Sequence, residues 1–167
     1  ELLFLILGTF ISENFISKWN YYSYMTAKEI HKEHIKEHIQ EIEDAIAIGI
    51  ERRPATIGLH VSACSIELLE LYLHIMGKIS SGTMIKHEWF KAPKPGQKIE
   101  PLADRKLGVD FPAKDEILSL MYTIEDERNK TIYGKPSNAS VGAVLTAFQK
   151  LHKIIKEKLH DMGEEIE

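Results

Sequence analysis

The sequence predicts an all-α protein: an up-and-down bundle of four main helices, with a long insert between the second helix and the penultimate one. Three observations predict it. Apolar residues recur at steps of three and four in four separate stretches, which draws a stripe down each of four helices. No stretch of useful length alternates apolar and polar residues as a half-buried strand does. The composition, 44% apolar and 28% charged over 167 residues, is that of one globular domain with a sizeable core.

The first helix opens after Met25. Thr26 followed three residues later by Glu29 is a capping box, in which each side chain satisfies the other's orphan backbone N–H. Ile35, Ile39, Ile42, Ile46 and Ile50 form its stripe, and the pattern stops near Arg52–Arg53. The second helix begins at Pro54, a residue suited to the first helical position because its missing N–H has no partner there anyway. Ile57, Val61, Cys64, Leu68, Leu71 and Ile75 give it a bundle seam. Gly58, Ser62 and Ser65 beside that seam permit close helix approach, and Gly77 is the expected stop.

Residues 78–111 contain Gly82, Pro93, Pro95, Gly96 and Pro101, so no long helix runs through them. A structureless loop of that length is uncommon in a compact domain. Trp89 and Phe90 are therefore expected to fold back over the core, with a short helix of their own. The third main helix starts near Pro112, carries Ile117, Met121 and Ile124, and ends at Gly134 and Pro136. The last starts around Ser140. It turns Val141, Leu145, Phe148, Ile155, Leu159 and Met162 inward, and Gly163 closes it.

Residues 1–24 stand apart. Leu2 to Ile11 is almost wholly apolar, yet shorter than the roughly 20 residues a membrane-spanning helix needs. It has neither the basic start nor the small-residue cleavage site of a signal peptide. We read 1–24 as an N-terminal segment, either a native extension or residues upstream of a start at Met25, and 25–167 as a single domain. The net charge of -4 argues against broad, non-specific DNA binding, which draws on a basic excess. One cysteine, Cys64, makes no internal disulfide, so the cytoplasm is the expected compartment and Cys64 is expected in the core.

Chemistry is expected first at the end of the penultimate helix. Arg128 falls in line with Ile117, Met121 and Ile124, on the core side. An unpaired charge is costly to bury, so Arg128 calls for a carboxylate partner, a subunit interface or an anionic ligand. Here the chain resembles the HEPN family (higher eukaryotes and prokaryotes nucleotide-binding), across about residues 26–163. The similarity lies in the bundle, in the Arg128–Asn129 pair near the end of the penultimate helix, and in the second-helix run from Leu59 to Leu69. The resemblance implies a homodimer and a site at Arg128, Asn129, Lys130 and Tyr133 for a nucleotide, RNA or a protein partner. In this family that partner is often a nucleotidyltransferase paired with it as toxin and antitoxin. No cofactor is expected.

The family's histidine position is occupied by Tyr133. RNA cleavage through the 2′-OH takes a base near neutrality, and a tyrosine, with a pKa near 10, is a poor one. Ribonuclease activity is therefore expected to be weak or absent. A purely structural use of the trio remains open: Arg128 ion-paired within the bundle, Asn129 solvated, Tyr133 packed with its hydroxyl at the surface.

Two weaker constellations complete the reading. His31, His34 and His38 lie along one side of the first helix, and with Glu41 they are candidate ligands for Zn²⁺. The plainer reading is a solvated Lys/Glu/His face. The insert is rich in basic residues (Lys78, Lys86, Lys91, Lys94, Lys98, Arg105 and Lys106), which beside Trp89 and Phe90 suit single-stranded RNA or phosphate. The plainer reading there is a solvated insert with two aromatics plugged into the core.

Overall fold

A computed structural model describes residues 27–80, 82–93, 96 and 99–166. The N-terminal segment 1–24 and the Thr26 half of the expected capping box lie outside the described residues. The architecture is all-α. Helix α1 is Ala27–Ile48, α2 is Pro54–Ile75, α3 is the short Leu102–Leu107, α4 is Lys114–Tyr133 and α5 is Asn138–Asp161. A 3₁₀ turn, His87–Phe90, sits in the insert.

Helix α2 is the hub. It packs against α1, α4, α5 and the 3₁₀ turn, and its buried side chains surround the helix rather than forming one stripe. That all-round burial matches its composition, since a helix apolar on every side belongs in a core. By length and composition α2 could cross a membrane, but two thirds of its most apolar stretch is covered inside the bundle. Ile57, Val61, Cys64, Leu68, Leu69 and Leu71 are fully buried, together with Ile117 and Ile124 of α4 and Leu151, Ile155 and Leu159 of α5. The Cys64 thiol lies 3.8 Å from the Ile35 carbonyl oxygen, and burial pushes its pKa up to about 12. It is a core side chain, as expected, and not a nucleophile.

The insert is not structureless. Phe90, Ala103, Leu107 and Phe111 are buried, and Trp89 packs against the same core. This is the fold-back that the aromatics predicted. Helix α1 is the least buried of the long helices. Ile35, Ile42 and Ala45 are its buried residues, while Ile46 is 42% exposed although it lies on the predicted stripe.

The helix ends follow local chemistry. Gly77 (φ +65°) and Gly163 (φ +79°) both take the left-handed conformation just past a helix. In each case the next residue's N–H reaches back five residues: Lys78 to the Leu73 carbonyl and Glu164 to that of Leu159. Two starts differ from expectation. Helix α4 begins at Lys114 and not at Pro112, because Ala113 between them is left-handed (φ 60°). Helix α5 begins at Asn138 and not at Ser140, because Ser137 is its cap. Ser137 Oγ accepts from the Ser140 N–H, and Ser140 Oγ accepts from the Ser137 N–H.

Candidate functional site

Helical spacing builds the site on α4. Glu125, Arg128 and Asn129 lie one turn apart, on the side facing α2 and the insert. The Glu125 side chain is 4% exposed and that of Arg128 is 7% exposed. Arg128 Nη1 donates to Asn129 Oδ1 at 3.1 Å and lies 3.8 Å from Glu125 Oε1. Asn129 Nδ2 donates to the same carboxylate at 3.2 Å, and His87 Nδ1 from the insert approaches both of its oxygens, at 3.1 and 3.2 Å. Arg128 is therefore loosely balanced by Glu125 and not clamped by it. Its Nε is buried and has no hydrogen-bond partner among the described residues. An unsatisfied buried donor is costly, and it has capacity for one more acceptor.

Two grooves adjoin Arg128 and share Arg128 and Leu59 as a common wall. The first, about 420 Å³, is mixed in charge: Arg128, Lys86 and His87 face Glu67 and Glu88 across Ser62, Ala63, Ile66 and Ile85. The second, about 290 Å³, is lined by Ala55, Thr56, Leu59, His60, Arg128, Ile132 and Tyr133, with no acidic side chain among them. The Tyr133 ring is 76% exposed, and the Arg128 guanidinium carbon lies 5.9 Å from its centroid. A cation, two hydrogen-bonding groups (Thr56 and His60) and an open aromatic face thus meet in one depression. That combination suits an anion attached to a flat ring.

The sequence-predicted residues divide here. Arg128 and Tyr133 share the second groove. Asn129 stands behind Arg128 and orients it. Lys130 lines neither groove; it pairs with Asp126 and Glu127, each at 2.8 Å, and these carboxylates raise its pKa. Among the described lysines and arginines of the insert, Lys86 lies on a groove wall. Thr56, His60, His87 and Glu125 were not singled out for this site. Glu125 had a signal, since it lies three residues before Arg128, but nothing local in the sequence points the other three toward it.

The histidines of α1 take a different arrangement from the one expected. His31, His34, His38 and Glu41 do not converge. His38 Nδ1 meets His60 Nδ1 at 3.0 Å, and Glu41 lines a separate depression beside Asp44 and Arg53. His31 and His34 instead share Glu67 of α2, at 2.5 and 3.1 Å. Burial pushes the Glu67 carboxyl up, but His31 and His34 together hold it below the usual carboxylate range. Burial raises Glu70, helped by the charge of Glu67, although Glu70 accepts the Ile85 backbone N–H. Burial, and then the neighbouring His60, lowers the pKa of His38.

No protein-family model, characterised protein or solved structure matches the chain.

Proposed function

We propose that this protein is a HEPN-like homodimer that binds the phosphate of RNA or a nucleotide at Arg128 and cleaves RNA weakly or not at all. The observation that carries the reading is Arg128 itself. It is a buried guanidinium with an unpartnered Nε, on the common wall of two grooves. Guanidinium presents a planar fork of donors that matches phosphate oxygens, and its charge strengthens each hydrogen bond. Thr56 and His60 add donors to the acid-free groove, and the exposed Tyr133 ring offers a stacking face for a base. Leu59 is half exposed on the same rim, so an apolar edge surrounds the cation and favours coverage by a second copy.

Catalysis is limited by the base. A phenol near pKa 10 rarely takes a proton at neutral pH, whereas imidazole does so readily. The test is RNA cleavage in metal-free buffer by the wild type and by Tyr133→His. Cleavage by Tyr133→His alone supports an intact cleft that lacks its base. Cleavage by the wild type overturns the inactive reading and makes His60, on the same groove wall, the candidate base.

A second reading is favoured by one observation, the Glu125 carboxylate 3.8 Å from Arg128. On this reading the charge is balanced inside the bundle, and the apolar rim at Leu59 and Tyr133 docks a protein, of which a nucleotidyltransferase is the candidate that the resemblance suggests. Failure of every RNA and nucleotide to bind supports it.

A further inference from the structure

Helices α1 and α2 carry a second cluster, in which His31 and His74 meet Glu67 and Glu70. The Ser80 carbonyl can only accept, so His74 Nε2, 2.6 Å away, donates to it. A neutral His74 then has a bare Nδ1, which accepts from His31 Nε2 at 3.0 Å. A neutral His31 is left with a bare Nδ1, and that atom faces Glu67 Oε2 at 2.5 Å and Glu70 Oε2 at 3.8 Å. The other Glu70 oxygen accepts the Ile85 backbone N–H, which turns Oε2 toward His31. With both imidazoles neutral, three lone-pair atoms from three side chains therefore converge. Such a group repels itself unless a proton or a metal cation sits in its midst.

We propose that His31, Glu67 and Glu70 bind one divalent first-row transition cation of the Zn²⁺ class. The three ligand atoms lie within 4.8 Å of one another. Tetrahedral bonds of about 2.0–2.2 Å place ligand atoms roughly 3.3–3.6 Å apart, which small side-chain rotations supply. One imidazole nitrogen and two carboxylates form a mixed N/O set that suits such ions and neutralises their charge. A metal-bound histidine typically donates its other N–H to an outer partner that fixes its tautomer. Here His74 is that partner, itself held by Ser80. The site joins α1, α2 and the insert, and it does not depend on the Arg128 reading.

The test is calorimetric titration of ZnCl₂ into the chelator-stripped, tag-free protein, with melting followed in parallel. The expected result is one tight site per chain and a higher melting temperature with Zn²⁺. His31→Gln and Glu70→Gln should each weaken binding at least tenfold. His160→Gln, at an exposed pair with Glu165, should leave it unchanged. X-ray absorption of the zinc complex separates direct ligation from a folding defect, and should show nitrogen and oxygen neighbours without sulfur. The absence of stoichiometric binding by the wild type, or equal binding by His31→Gln, overturns the proposal. The convergent atoms are then held by hydrogen bonds alone.

Discussion

Helix α2 approaches α4 through Gly58, and an alanine there tests the packing on which the Arg128 site depends. A Cβ at Gly58 would stand 2.1 Å from Thr131 Oγ1, 3.2 Å from Thr131 Cβ and 3.5 Å from Ile132 Cγ1. Thr131 is buried, and its hydroxyl donates to the Arg128 carbonyl at 2.8 Å. To clear the clash, Thr131 must rotate and lose that bond, or α4 must move away by about 1 Å. Overpacking costs about 1–3 kcal/mol and a lost hydrogen bond about 1 kcal/mol. Alanine returns about 1 kcal/mol of helix propensity. Gly58→Ala should therefore be destabilised by roughly 1–3 kcal/mol, which lowers the urea midpoint by about 1 M. Thr131→Ala removes the atom that clashes, so the double variant should lose less than the sum of the single losses, with a coupling of about 1–2 kcal/mol. A Gly58→Ala protein as stable as the wild type, or strict additivity with Thr131→Ala, would refute the close approach.

Ser137→Ala removes the capping box of α5 and should cost about 1 kcal/mol in urea unfolding. Adding Ser140→Ala removes the second bond, donated by the backbone N–H of residue 137, and should cost a further loss of up to about 1 kcal/mol; no further loss would contradict the reciprocal cap. The lowered pKa of His38 sets a pH dependence. Below about pH 6.5 the unfolded chain protonates this histidine more readily than the folded one, so its contribution to stability falls as pH drops from there toward the folded value. His34, His60, Glu37 and Glu67 surround it, and other histidines titrate as well. The readout is therefore the difference between pH 7.5 and pH 5.5, which should shrink in His38→Gln; an unchanged difference argues against the burial effect. Arg128→Gln leaves Glu125 buried with His87 and Asn129 alone and should cost about 2 kcal/mol or more. Glu125→Gln/Arg128→Gln should recover part of that loss, and no recovery would show that the two charges are not coupled.

The helices were legible because a 3.6-residue period leaves a regular trace, and α2 kept its trace although it is buried all round. The trace misled at its ends. Ile50 was assigned to a helix that stops at Ile48, and Met162 to an inner face where it is 39% exposed. Arg128 was legible as a charge on an apolar line. Its surroundings were not, because His87 and Lys86 reach the first groove from an insert whose landing place is set by Phe90 and Phe111, packed in a core drawn from distant parts of the sequence. The histidines show the same limit. Spacing put His31, His34 and His38 on one side of α1, but the register between α1 and α2 decided that His31 meets Glu67, Glu70 and His74 while His38 meets His60. Glu70 gave no signal at all. In the sequence it is one more acidic residue, and only the fold buries it against the insert.

The central claim is that the Arg128 cleft binds a phosphate-bearing ligand. Its most direct test is equilibrium binding of a fluorescent oligoribonucleotide and of a nucleoside triphosphate. The wild type should be compared with Tyr133→Ala and with Glu125→Gln/Arg128→Gln, which removes both charges and so limits the folding penalty. Charge-assisted hydrogen bonds contribute about 1.5–3 kcal/mol, so the double variant should bind roughly 10- to 100-fold more weakly than the wild type while melting cooperatively. Tyr133→Ala should weaken the oligonucleotide by about tenfold through lost stacking. Equal binding by the wild type and a folded double variant would contradict the claim.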